Sequence, residues 1–464
     1  MLSVALPTAG ANLLQNSAGV AITFMVASLG DTAVAAVSSA NRFFFIFFLL
    51  LFGIVSGASV LSAQYWGRRD TRAIAQTAGI MLRFSISAGL LFSAAAILFP
   101  QQILMVFTGD PEVVMLGASY LRMKGLILFT ASFSQAYWTF LRSVEKAGLG
   151  LAVQLLSCVF SISLSAVFTF GLFGAPRMGV NGSALGLLIA RLLEFIVIFI
   201  YAGHEKTLRL RLHHIIPFLG KTSQEQKNLG ANLLQDFYRL SGIVVLNEIF
   251  WGLGTSLQGA IIGHISTQAI AAFSFAQAIQ GAVTVFVFGS AMAASVICGK
   301  SVGRGDFATA RRQSKLFLLF SFLVGLFCCG LQLVSRALLI GPVASSGLLN
   351  LSAEALRLVG LMMLLEAAII PFAACNCTIV VGLLRGGGDI KYSSIYDVAF
   401  LWAYALPAAA AGAFAFGLSP VTVLLILRME EVIKFFFGIV RVLGWKWMKN
   451  VTRESKEPEL TVTV

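Results

Sequence analysis

Ala33-Val-Ala-Ala-Val-Ser38 returns as Ala269-Ile-Ala-Ala-Phe-Ser274, an offset of 236 residues (269 − 33), about half of a 464-residue chain. At the same offset Gly53, Ala58-Ser59-Val60, Gly67-Arg68 and Asp70 meet Gly289, Ala294-Ser295-Val296, Gly303-Arg304 and Asp306, in order and without a gap. Chance does not hold a register over so many positions, so the chain is a tandem duplication. Further on the offset drifts: Leu141-Arg142 answers Leu384-Arg385 at 243 (384 − 141), and Arg191-x-x-Glu194 answers Arg428-x-x-Glu431 at 237 (428 − 191). Changed loop lengths produce such drift at little energetic cost.

Each copy is too apolar for water. The chain is 58% hydrophobic and 11% charged, with a mean hydropathy of +0.89, which is more apolar surface than one soluble core can hide. Stretches long enough to span a bilayer, roughly 20 residues, recur about twelve times: 3–29, 36–64, 77–99, 114–140, 149–172, 181–202, 240–263, 270–298, 315–335, 353–383, 393–414 and 419–441. Six spans per copy is an even number, so both copies enter the membrane in the same direction, related by an axis along its normal. The expected fold is an all-α integral membrane protein: 12 transmembrane helices as two parallel six-helix repeats forming two lobes. The expected division is an N-lobe at 1–205, a cytoplasmic linker at 206–230, a C-lobe at 231–445 and a polar cytoplasmic tail at 446–464. The Lys-, Arg-, Gln- and Ser-rich stretch from His204 to Asn228 marks the linker, and from Lys449 onward an aperiodic polar sequence predicts no fixed structure. Two similar bundles facing each other across a central path are the sequence pattern of a secondary transporter.

A net charge of +13 and a pI near 9.7 would suit nucleic acid, but the charges are sided. Arg68, Arg69, Arg72, Arg142, Lys146, Lys206, Lys227, Lys300, Arg304, Arg311, Arg385, Lys391, Arg441 and Lys449 follow even-numbered spans, whereas the odd-numbered connections hold only Arg177 and Arg336. By the positive-inside rule the even loops and both termini are cytoplasmic. The partners expected are small organic compounds and membrane lipids, not nucleic acid, and a monomer in the cytoplasmic (inner) membrane. All six cysteines lie within spans and read as small hydrophobes; Cys375-Asn376-Cys377 lacks the companion ligands of a metal site. The first span continues the repeat pattern, so no cleaved leader is read.

Several motifs fall in one order: Pro7; Leu29-Gly30 with Ala33-Val-Ala-Ala-Val; Gly171-Leu-Phe-Gly-Ala-Pro-Arg-Met-Gly-Val-Asn-Gly-Ser-Ala; Asn247-Glu248-Ile-Phe-Trp251-Gly-Leu-Gly; and Leu384-Arg-Gly-Gly-Gly-Asp389 with Asp397 and Pro407. Together, and over nearly the whole chain, they resemble the multidrug and toxic compound extrusion (MATE) family. The resemblance implies a V-shaped pair of six-helix bundles that export organic, often cationic, compounds in exchange for Na⁺ or H⁺, with no other cofactor. The chain departs from the family at two places. Ile22 stands where many members carry an Asp late in the first span, and Ala374 where some carry an acid in the tenth.

An ionised carboxylate at bilayer depth costs at least about 2.5 kcal/mol, so acids there tend to be paired, protonated or functional. Glu248 lies near the middle of the seventh span with no basic residue within a helical turn. Desolvation penalises its charged form, as suits a group that takes up and releases a coupling cation, and the resemblance places an acid at this position. Its repeat partner is Asn12. Asp397, whose counterpart is Gln154, and Glu366 are further coupling candidates, each open to a purely structural reading. Arg191/Glu194 and Arg428/Glu431, spaced i, i+3, are expected to neutralise each other. Asn12, Gln15, Asn16 and Gln135 in the N-lobe, and Asn247, Trp251 and Asn376 in the C-lobe, are candidate substrate-cavity residues, with Trp138, Tyr137 and Phe250 as nearby rings that equally suit core or lipid contact.

Ala294-Ser-Val-Ile-Cys-Gly-Lys300-Ser301 meets a relaxed phosphate-loop pattern but ends a membrane helix, and its repeat partner keeps neither Gly nor Lys. No catalytic signature is present, so a membrane-embedded enzyme is a remote alternative. The nearer one is a flippase for lipid-linked oligosaccharide. Its phosphate would call for cavity bases, whereas the mid-span bases picked out are mainly Arg191, Arg428 and Lys434, two of them beside acids.

Overall fold

The computed structural model describes residues 2–146, 148–204, 224–340 and 352–453, with the side chains of 2–6, 9, 16, 20, 27, 31, 149, 224–227 and 267 excepted. Most of the expected linker, the tail beyond Arg453 and the Asn16 side chain lie outside the described residues. Among the described residues twelve helical segments follow the apolar stretches. They are α1 (Leu2–Ala27), α2 (Asp31–Gly67), α3 (Thr71–Leu98), α4 (Pro111–Ser143), α5 (Gly148–Phe170) and α6 (Val180–His204), then α7 (Gln224–Gly263), α8 (Thr267–Val283 and Val285–Gly303), α9 (Phe307–Leu338), α10 (Ala353–Leu384), α11 (Ile390–Ala415) and α12 (Pro420–Leu443). Ten of the described helices are long and apolar enough to cross a membrane. α12 fails that test because Arg428, Glu430, Glu431 and Lys434 interrupt it, and these residues build the site described below.

The repeated Gly-Arg-x-Asp turn has a mechanical reading. Asp70 and Asp306 are the N-caps of α3 and α9, accepting from Ala73 N at 2.9 Å and Thr309 N at 3.0 Å. The residues before them, Arg69 and Gly305, take positive φ of 59° and 78°. The glycines make the lobes meet: a Cβ on Gly67 would overlap the Lys300 carbonyl oxygen, and one on Gly303 the Gln64 carbonyl oxygen. Lys300 is the repeat partner of Gln64 (300 − 236), so α2 and α8 cross here about a pseudo-twofold. Arg304 Nε donates to Gly67 O at 3.1 Å, and Lys300 pairs with Glu145 across the same seam.

Two packing features depart from the sequence reading. The chain after Trp447 is fixed as far as Arg453: Lys449 N donates to Gly387 O at 2.7 Å, Val451 N to Gln64 Oε1 at 2.8 Å, and Arg453 pairs with Asp236 at 2.7 Å. A polar sequence without periodicity hides this because the contacts are hydrogen bonds and an ion pair to residues distant in sequence rather than burial of an apolar face. Leu233, Phe237, Leu240 and Val244 of α7, a C-lobe helix by the repeat, lie in the N-lobe core, with Phe237 stacked on Phe84 at 4.9 Å.

The two copies are not equally regular. α10 widens into a π-helical stretch at Thr378–Leu384 and α11 at Leu401–Ala405 and Ala411–Ala415, whereas α4 and α5 run without such breaks. Pro407 lacks an N–H and crowds the carbonyl four residues earlier, which accounts for the first widening in α11.

Candidate functional site

The charged centre of the C-lobe is assembled from four helices. Glu248 on α7 is 8% exposed, and its Oε1 lies 3.0 Å from Arg385 Nη1 at the end of α10. The local sequence around Glu248 offers no base; the base comes from a residue read as a loop cation, and Arg385 is in fact 1% exposed. The turn carrying it is tucked inward: a Cβ on Gly386 would clash with the backbone of Ser295 on α8, and one on Gly387 with the Trp447 ring. Only glycines let the turn approach so closely, and that approach buries the guanidinium.

Asp397 on α11 stands beside this pair. Lys434 Nζ lies 3.0 Å from its Oδ1, and Asn247 Nδ2 donates to its Oδ2 at 3.2 Å. Lys434 also holds Glu430 at 3.0 Å, one turn earlier on α12. Glu366, fully buried on α10, takes Arg428 Nη2 at 2.9 Å through one oxygen; its other oxygen has no partner among the described residues. Arg428 therefore does not neutralise Glu431 as its spacing suggested. Glu431 instead accepts from Asn376 Nδ2 at 2.7 Å, so the i, i+3 pair is replaced by two inter-helix bonds between α10 and α12. Five carboxylates, Glu248, Glu366, Asp397, Glu430 and Glu431, thus share three bases, Arg385, Arg428 and Lys434. Trp251, three residues beyond Glu248, is 36% exposed, and Trp402 Nε1 donates to Phe250 O at 3.1 Å.

The N-lobe keeps the arrangement and inverts its charge. The pair Arg191–Glu194 forms as expected at 2.6 Å, with Ser157 Oγ at 2.7 Å and Trp138 Nε1 at 3.3 Å completing the shell of Glu194. A small open cleft, about 60 Å³, between α1, α4 and α5 is lined by Asn12, Gln15, Gln135 and Gln154 together with Trp138, Thr139, Arg142 and Lys146. Three of the four predicted N-lobe cavity residues therefore meet in one place. Arg142 is the repeat partner of Arg385, but where Arg385 meets Glu248 and Asp397 the N-lobe has Asn12 and Gln154. The hydrogen bond of Arg142 is to Thr139 Oγ1, at 3.2 Å. A second N-lobe base escaped the sequence reading: Lys124, mid-way along α4, donates to Asn41 Oδ1 at 2.7 Å and lies 4.2 Å from the centre of the Phe44 ring. Its position inside the fourth apolar stretch was the available signal.

The MatE family model matches residues 7–167 and 244–410, one block in each repeat. The chain belongs to the MatE family. YoeA of Bacillus subtilis, a probable multidrug resistance protein, is 26% identical over 382 residues, covering 82% of this chain and 79% of its own. NorM of Rhizobium meliloti, also a probable multidrug resistance protein, is 26% identical over 473 residues, covering 98% of this chain and 94% of its own. Among solved structures, a MOP superfamily transporter from Pyrococcus furiosus superposes with a TM-score of 0.81 at 17% identity over 96% of both chains. The MatE assignment and these relatives make the chain a multi-span membrane transporter and not an enzyme.

Proposed function

We propose that this MatE protein is a secondary active exporter of small organic, often cationic, compounds, driven by inward movement of Na⁺ or H⁺ through alternating access, and that Glu248 carries the coupling ion. The observation that supports this reading most is the excess of carboxylates over bases in the C-lobe. With Glu248, Glu366 and Glu430 buried and Asp397 and Glu431 partly buried, an added cation is a direct way to make up such a shortfall. Proton or Na⁺ at Glu248 competes with Arg385 for the same carboxylate. Neutralising Glu248 would loosen the tie between α7 and the end of α10, and that differential stability is what a gradient needs to shift two conformations. Asp397, held by both Lys434 and Asn247, serves as the neighbouring relay, and Glu366 as a more distant member of the same set. In this reading the basic loops and both termini face the cytoplasm, the protein sits as a monomer in the inner membrane, and the α2–α8 seam closes its cytoplasmic side.

Ethidium efflux from proteoliposomes under separately imposed Na⁺ and H⁺ gradients tests this. Wild type should respond to at least one gradient, and Glu248→Gln, nearly isosteric but unable to change charge, should lose gradient-driven efflux while remaining folded. Wild-type rates and unchanged ion dependence in Glu248→Gln would transfer the role to Asp397 or Glu366.

A further inference from the structure

Arg142 occupies the place in the N-lobe that Arg385 occupies in the C-lobe, yet the two carboxylates around Arg385 have become Asn12 and Gln154. Among the described residues no carboxylate lines the N-lobe cleft. What lines it is rich in donors: the fork of Arg142, the ammonium of Lys146, and the amides of Asn12, Gln15, Gln135 and Gln154. A guanidinium presents five N–H donors, and Thr139 takes one. Aliphatic and aromatic walls from Pro7, Ala11, Leu151 and Trp138 border these donors. A small open cleft with a fork-shaped base, amide donors and apolar sides suits the anionic oxygen group at the end of an amphiphile whose body extends beyond it.

We propose that the N-lobe cleft binds the carboxylate or phosphate of an amphiphilic substrate, zwitterions included, with that anion taking up against Arg142 the place Glu248 holds against Arg385. The proposal rests on the exporter reading for its setting and adds the substrate class. It also reopens the question of phosphate-bearing substrates, because Lys124 has no acid one turn away on its helix, and Glu145, three residues beyond Arg142, is engaged by Lys300 and Trp66 instead.

Tetramethylrhodamine and its methyl ester share one cationic ring system and differ in a free carboxylate, so their affinities by fluorescence polarisation isolate the anion. The purified full-length protein should bind the acid on the order of tenfold more tightly than the ester, as a charge-assisted bidentate contact implies. Arg142→Gln should bring the ratio to about one, and Arg142→Lys, which keeps the charge but loses the fork, should leave part of it. Asn12→Glu keeps Arg142 but supplies in cis the carboxylate found in the C-lobe, and should abolish the preference too. It decides the matter if Arg142→Gln fails to fold. Dihexanoyl phosphatidic acid should displace the acid better than inorganic phosphate does, since the apolar walls favour an amphiphile; displacement by neither removes phosphates from the class. Equal affinities in wild type, or a preference that survives both Arg142→Gln and Asn12→Glu, would overturn the proposal. Loss of the acid preference with ethidium efflux intact defeats this site alone, whereas absent efflux with the preference intact defeats the exporter reading and leaves the anion site standing.

Discussion

The two lobes share a backbone plan and differ in the sign of what they bury. At one level Arg385 meets Glu248 in the C-lobe, whereas Arg142 bonds Thr139 and lines a cleft shared with four amides in the N-lobe. At the next, Arg428 and its counterpart Arg191 are both paired, with Glu366 and Glu194, but Arg191 also has Lys124 close enough for the two charges to repel. The core follows the same division. Among the described residues the N-lobe has one continuous apolar cluster, joined by part of α7, whereas the buried apolar residues of the C-lobe fall into three. A duplicated bundle can therefore keep its helix register while one copy buries an excess of acids and the other an excess of bases, because register is set by glycine contacts and caps that are indifferent to the charges between them.

The largest expected difference between the lobes comes from removing the equivalent arginines. Arg385→Ala leaves Glu248 buried beside Asp397 without its base, and breaking a buried pair in this way costs about 3–5 kcal/mol. Arg142→Ala removes one bond to Thr139 from a cleft with no acid to strand, a loss of about 1 kcal/mol. Thermal unfolding of the purified variants in one detergent measures both. Similar shifts for the two would mean that the lobes are not inverted in charge.

Arg428→Ala and Arg191→Ala extend the comparison at a smaller scale. Glu366 has Arg428 on one oxygen and no partner on the other among the described residues, so its loss should cost about 3 kcal/mol. Glu194 retains Ser157 and Trp138 when Arg191 goes, and the cost should fall to about 1–2 kcal/mol. The same unfolding measurement ranks them, and the reverse order would contradict the pairing described.

At the seam the lobes should instead behave alike. Gly67→Ala and Gly303→Ala each place a methyl against a partner carbonyl oxygen, a strain of about 1–3 kcal/mol against the closed seam. A cysteine placed at Ala63, which faces Gly299 across the seam, should react with maleimide about tenfold faster in either variant, in a background without the native cysteines. Unequal acceleration would show that the pseudo-twofold is not energetic as well as geometric.

The sequence carried the symmetric part of this molecule and little of the asymmetric part. Duplication, twelve spans and the meeting of Asn12, Gln15 and Gln135 were legible, because repeats and hydropathy act through local pattern. The ion pairs were not. Glu248 looked unpaired because its base comes from 137 residues away (385 − 248), by way of a glycine turn whose burial depends on α8 and Trp447. The i, i+3 rule was right for Glu194 and wrong for Glu431, and the difference lies in Glu366 and Asn376 on a neighbouring helix, which helical spacing cannot see.

The smallest effect expected is at Glu145, outside the spans, and it bears on which group senses protons. Burial pushes the Glu145 carboxyl up, but hydrogen bonds from Lys300 and Trp66 and the nearby charges of Lys300 and Arg304 outweigh it and hold the group below its ordinary 4.5. A carboxyl lowered in the folded state contributes stability that is fully present above its ordinary value and is lost only as pH falls through the lowered one. The Lys300–Glu145 bridge is therefore intact and unchanging between pH 6 and 8. Being partly exposed, it contributes only ~0.2–1 kcal/mol. Labelling of the Ala63→Cys probe, corrected against a fully exposed control cysteine, should be flat across that pH range, and Glu145→Gln should raise it slightly at every pH without adding a slope. A slope in the wild-type seam would place a titrating group at the lobe contact itself, and pH-dependent transport would then no longer single out Glu248.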